Sequence, residues 1–142
     1  MADPSGGDVA DESMDASRAR SISLFAGVVM IIGGAYEAIQ SIAAISDDSY
    51  LLVPPGYVYG LDLTVWGWVH LLLGLALIPI GAGVLVGRRR ARLVGVVVVS
   101  ISAVANFLWL PYSPVWGLLV ISLDLLVISA LTSLRDLSAG VG

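Results

Sequence analysis

Residues 61–87 read LDLTVWGWVHLLLGLALIPIGAGVLVG. Between Asp62 at its start and Arg88 just beyond its end, the run carries no charge and a single ionisable ring, His70. A helix rising about 1.5 Å per residue needs about 20 residues to cross about 30 Å of hydrocarbon, so this run is a transmembrane helix with length to spare. Pro79, with Gly81 and Gly83 beyond it, is where a tilt or kink would absorb the excess. The run does not alternate in polarity, which excludes a β-barrel strand. Three more such runs lie at about 22–46, 91–110 and 114–134. The predicted fold is all-α: a four-transmembrane-helix bundle over 22–134, built as two antiparallel hairpins. A disordered acidic tail over 1–21 precedes it, and a short tail over 135–142 follows.

Composition agrees. Of the 142 residues, 58% are hydrophobic and 13% charged, against about 45–50% and about 25% in soluble domains. The absence of cysteine excludes disulfides, thiolate metal sites and thiol redox chemistry. One histidine cannot supply bis-histidine haem ligation within a chain, and it leaves zinc with carboxylates alone for company. The glycines of 81–87 do not form GxGxxG, because Val86 stands where the last glycine is needed. With no GxSxG elbow and no HExxH, an enzyme has neither nucleophile nor metal to work with. No enzymatic activity, cofactor, metal or nucleic-acid partner is expected; the bilayer is the expected partner.

Charge sets the direction. Five of the eleven acids (Asp3, Asp8, Asp11, Glu12, Asp15) fall in a tail too poor in apolar residues to fold. The apolar run from Ser21 is too long for a cleaved leader and reads as an anchor. There is no lysine, and the arginines cluster: Arg18 and Arg20 before the first run, Arg88, Arg89, Arg90 and Arg92 between the second and third, Arg135 after the fourth. The positive-inside rule then places both termini and the 88–92 connection in the cytoplasm, with the protein in the plasma membrane. This basic connection could also hold anionic headgroups, at about 1 kcal/mol per charge. Trp66, Trp68, Trp109, Trp116 and Tyr50, Tyr57, Tyr59, Tyr112 gather at the opposite end as an outer aromatic belt. Asp62 is placed to cap the second helix; Ser113 and Pro114 are placed to open the fourth.

Small residues recur every seven positions: Gly27, Gly34 and Ser41 in the first run, and Gly60, Gly67, Gly74 and Gly81 at the second. Such stripes let backbones approach closely, a main source of helix association in lipid. Three places after a stripe residue come Glu37 and His70, each about nine residues, or roughly 13 Å, below the outer end of its helix. They should therefore face one another. Asp124 stands a heptad after Gly117, with Asn106 near the end of the third run and Tyr36 beside Glu37. These five form a candidate intramembrane polar cluster.

The pairing of Val65-Trp66-Gly67-Trp68-Val69-His70 with Asn106-Phe107-x-x-Leu110-Pro111-Tyr112-x-Pro114-Val115-Trp116, together with Phe25-Ala26-Gly27, Gly33-Gly34, Ala91-Arg92 and Asp124, resembles a family of small actinobacterial integral membrane proteins, the domain of unknown function 7144 family. The resemblance spans about 22–132. It implies a four-span membrane protein and no assigned activity.

Ionisable groups inside a span cost about 2.5–3.5 kcal/mol on insertion scales and commonly mark proton or ion paths. They also serve as interhelical glue, here with one another and with Asn106 or Ser102 as partners, at about 0.6 kcal/mol each. The glue reading is favoured here: a non-enzymatic structural or interaction bundle, working with a second copy or a membrane partner. The alternative is a small proton-, ion- or solute-carrier component using Glu37, His70 and Asp124. Two short matches, Arg18-Ala19-Arg20 with Arg90-Ala91-Arg92 and Val65-Trp66-Gly67 with Val115-Trp116-Gly117, are read as shared interface chemistry rather than as a duplicated hairpin.

Overall fold

The structure, a computed structural model, describes residues 5–46, 63–111 and 113–139, with side chains over 11–46, 64–111 and 113–134. Within these residues the chain forms four α-helices and no strand: α1 Ser5–Ser46, α2 Leu63–Leu85, α3 Arg89–Trp109 and α4 Pro114–Ala139. Each holds a stretch long and apolar enough to cross a membrane. The 47–60 connection with its acids and tyrosines, the Asp62 cap and Tyr112 lie outside the described residues, as do the chain ends.

Chain order runs around the bundle. α1 packs on α2 and α4, and α3 packs on the same two neighbours. At the arginine end the interior is mostly apolar, with Ala26, Met30, Val84, Val99, Leu131 and Leu134 all but closed off and Ser23 buried beside them. The outside is apolar as well: Ile32, Ile39, Leu72, Val97 and Val115 are each more than half exposed. A greasy exterior around helices that satisfy their own backbones is a surface fitted to lipid.

The segment expected as a disordered tail is, from Ser5 onward, the first part of α1. No proline interrupts 5–46, and Ala10, Glu12, Met14, Ala16 and Arg18 are good helix formers. Once the apolar span has nucleated, each added residue gains a backbone hydrogen bond without a new nucleus. Acids near the start also suit the positive end of the helix dipole. At 42 residues α1 is about 63 Å long, about twice the hydrocarbon thickness. It therefore projects beyond the bundle at the arginine end, with Asp11 through Arg18 exposed.

The basic connection is shorter than the expected 88–92. Helix α2 continues through Pro79 to Leu85, and α3 already starts at Arg89. Gly87, at φ 77°, turns the chain. Its N–H donates to the Val84 carbonyl at 2.9 Å, and that of Arg88 donates to Gly83 at 2.9 Å. These two bonds make the Schellman ending that a left-handed residue after a helix permits. Arg88, Arg89 and Arg90 are exposed. Arg92 differs: half-buried in α3, it donates from Nη1 to the Leu134 carbonyl of α4 at 3.4 Å. At the other end Pro114 opens α4, and the Ser113 carbonyl accepts from Gly117 N–H at 2.9 Å.

The first hairpin closes on its small residues. A Cβ placed on Gly34 would lie 2.6 Å from the Gly74 carbonyl oxygen, and one on Gly74 would lie 2.6 Å from that of Gly34. Gly81 stands likewise against the Gly27 oxygen at 2.8 Å, and Gly67 against that of Ser41 at 3.5 Å. The seam is backbone on backbone.

Candidate functional site

This close seam determines where the polar side chains go. With the backbones of α1 and α2 touching at Gly34 and Gly74, Glu37 and His70, each a turn away toward the tryptophan end, project side by side. His70 Nε2 lies 3.8 Å from Glu37 Oε1, and both side chains are largely buried. The other ring nitrogen, Nδ1, lies 3.3 Å from the Trp66 carbonyl. A carbonyl can only accept, so the contact assigns the proton to Nδ1. Nε2 then offers only a lone pair, as a carboxylate does, so the two can bond only with one further proton: on Glu37, with Nε2 accepting, or on Nε2 itself, which then donates. At 3.8 Å the two are close enough to share that proton after a small closure and too far for a formed hydrogen bond.

Asp124 and Asn106 approach from the second hairpin. Asp124 is 8% exposed and Asn106 5%. Asn106 Nδ2 donates to the Ser102 carbonyl at 3.0 Å and lies 3.5 Å from the Ser102 hydroxyl. Among the described residues two buried oxygens have no hydrogen-bond partner: Asp124 Oδ2, and Glu37 Oε1, which faces His70 Nε2 at 3.8 Å. Leaving such atoms bare costs about 1–3 kcal/mol each. Both acids line one cavity of about 620 Å³, as do His70, Ser102 and Asn106. It lies toward the tryptophan end and draws on all four helices.

Aromatic rings form much of its wall. Trp66 stacks on Trp109, with centroids 5.2 Å apart and planes 14° from parallel, and Trp66 also meets the His70 ring at 4.4 Å. Trp109 was expected in an outer belt but is 8% exposed; it faces inward because α3 turns its seam of Val99, Ser102 and Asn106 that way. Trp68 and Trp116 do face outward. Tyr36 is half-exposed and packs on Trp116 at 5.0 Å, its hydroxyl accepting from Gln40 Nε2.

Glu37, His70, Asp124, Asn106 and Tyr36 thus all line one cavity. Arg88, Arg89, Arg90 and Arg92 do not. The cavity itself and the tryptophan stack are absent from the sequence reading, whereas Ser102 is already weighed there, with Asn106, as a partner for the ionisable groups. Among the described residues no group of three His, Cys, Asp or Glu side chains is placed to hold a metal ion.

No curated protein and no solved structure is similar enough to match. A family pattern does match, over residues 22–136, and its extent takes in all four helical spans and every residue of the cavity. The chain belongs to the family described as Domain of unknown function (DUF7144).

Proposed function

We propose that the protein is a non-enzymatic, multi-pass protein of the plasma membrane, with both termini in the cytoplasm, whose bundle carries a proton or small solute through the cavity at the tryptophan end. The observation that supports a carrier over a purely structural bundle is Asp124 Oδ2, buried and without a hydrogen-bond partner among the described residues, on a side chain that lines the same cavity as Glu37 and His70. Glue would not leave it bare, since the contribution of glue comes from the partner it finds. The Glu37–His70 pair gives a proton two neighbouring places to rest. A non-enzymatic role is favoured by the hydroxyls of Ser41, Ser100 and Ser122, each of which donates to a carbonyl one turn back in its own helix.

The test is flux. In proteoliposomes carrying the full chain and an internal pH-sensitive dye, a pH gradient should collapse faster than in empty vesicles. Glu37→Gln and Asp124→Asn should each slow that collapse about tenfold, the scale expected where intramembrane ionisable groups form the path. Gradients that decay alike in empty, native and variant vesicles would end the carrier reading. The structural reading is supported by a different feature, the exposed acidic extension of α1, which offers a membrane or cytoplasmic partner a surface outside the bundle.

A further inference from the structure

The cavity has a sign, a texture and an entrance. Two carboxyl groups and one imidazole line it, and none of its lining residues is an arginine. The chain has no lysine, and Arg92, the one half-buried arginine among the described residues, is engaged with Leu134 at the opposite end. Asp124, more than nine-tenths buried, lines the cavity, and its Oδ2 has no hydrogen-bond partner among the described residues. The site therefore sets two carboxyl groups against a single imidazole, with no arginine or lysine among its lining residues. Its walls carry the rings of Tyr36, Trp66, Trp109 and Trp116, and aromatic faces attract cations, more strongly once water is excluded.

The entrance lies between α1 and α4. Ile32, Tyr36, Trp116, Leu119 and Leu123 line the cavity and are at the same time exposed on the outer surface. Gly33 lines it too, and a Cβ there would meet nothing within 4 Å. This side opens onto the apolar flank of the bundle, where the Tyr36 and Trp116 rings meet.

We infer that the cavity takes a lipophilic organic cation, which enters sideways from the hydrocarbon between α1 and α4, passes the Tyr36–Trp116 pair, and settles its charge on Asp124 and Glu37 among the tryptophan rings. The inference rests on the solute-carrier reading and names the solute's class. A lipophilic cation already partitions into the bilayer, so a lateral mouth meets it where it is concentrated. A hydrated inorganic ion would find neither an aqueous mouth on this flank nor a protein cage, since no three metal-binding side chains are grouped among the described residues.

Equilibrium binding of radiolabelled tetraphenylphosphonium to the purified full-length protein in mild detergent tests this. Saturable binding is expected, weakened about tenfold or more by Asp124→Asn and by Glu37→Gln, as when a charge-assisted contact is lost. Neutral triphenylphosphine oxide, similar in its aryl groups and without the charge, should not compete. Leu126→Ala, on the exposed face of α4, should bind like the native protein. Gly33→Phe narrows the mouth where the protein has room and should slow association severalfold while circular dichroism stays unchanged. Competition by triphenylphosphine oxide equal to that of unlabelled tetraphenylphosphonium would overturn the cation assignment and leave the solute cavity standing. Unaltered association in Gly33→Phe would overturn the lateral mouth. Proton flux without saturable tetraphenylphosphonium binding sinks this inference alone; loss of both sinks the carrier reading with it.

Discussion

Gly33 and Gly34 are neighbours with opposite surroundings. A methyl on Gly34 would collide with the Gly74 carbonyl oxygen, whereas one on Gly33 would meet nothing. Gly34→Ala should lower the thermal midpoint of the detergent-solubilised protein by an amount equivalent to about 1–3 kcal/mol, the usual cost of overpacking. Gly33→Ala should be neutral or raise it, since alanine is the better helix former by up to about 1 kcal/mol. Equal effects from both would contradict the seam. The recurrence at 27, 34, 41 and 67, 74, 81 was legible because the period of a packed helix seam is fixed by geometry. The inward turn of Trp109 was not. A tryptophan near a span end satisfies a membrane interface as well as it satisfies a ring stack, and composition cannot separate the two.

At the scale of the helix, boundaries were the least legible feature. The span 22–46 is set by hydropathy, which says nothing of how far a helix can run on into polar sequence, and α1 runs on to Ser5. The stop of α2 was readable in principle, since Gly87 follows the last apolar residues and arginines follow it. Because a Cβ at Gly87 meets no atom and its φ is 77°, any penalty there is conformational. Gly87→Ala should therefore cost about 1 kcal/mol, read as a lowered unfolding midpoint with unchanged helical content. The start of α3 shows the reverse: Arg89 and Arg90 stand in its first turn, where the helix dipole disfavours positive charge. Local helix energetics would not choose them, so their warrant lies in how the chain is oriented across the bilayer.

In the whole molecule that warrant becomes a prediction. Reporter fusions should give cytoplasmic activity at residue 142 and periplasmic activity within 47–60; an active periplasmic reporter at residue 142 would defeat the both-termini-inside arrangement. The short matches read as shared interface chemistry extend further than the sequence alone suggested. Gly67, Gly74, Leu77, Gly81 and Val84 are buried in α2, and Gly117, Asp124, Val127, Leu131 and Leu134, each fifty positions later, are buried in α4. Likewise Ser23, Gly27, Met30 and Gly34 are buried in α1 at the same spacing as Gly95, Val99, Ser102 and Asn106 in α3. Few identities survive, because a buried register constrains which positions face inward more tightly than which residues fill them. Asn106 and Asp124 thereby hold the places in the second hairpin that Gly34 and Gly74 hold in the first. Where the first hairpin has touching backbones, the second has two polar side chains and a cavity beside them. The mechanical consequence follows from that contrast. Backbone against backbone has no rotamers to yield, so α1 and α2 act as one stiff leaf. The joint with α4 is carried at its mouth by two rings, Tyr36 and Trp116, that can swing apart. A widening of the mouth should therefore part the Tyr36 and Trp116 rings and leave the contact between α1 and α2 as it is.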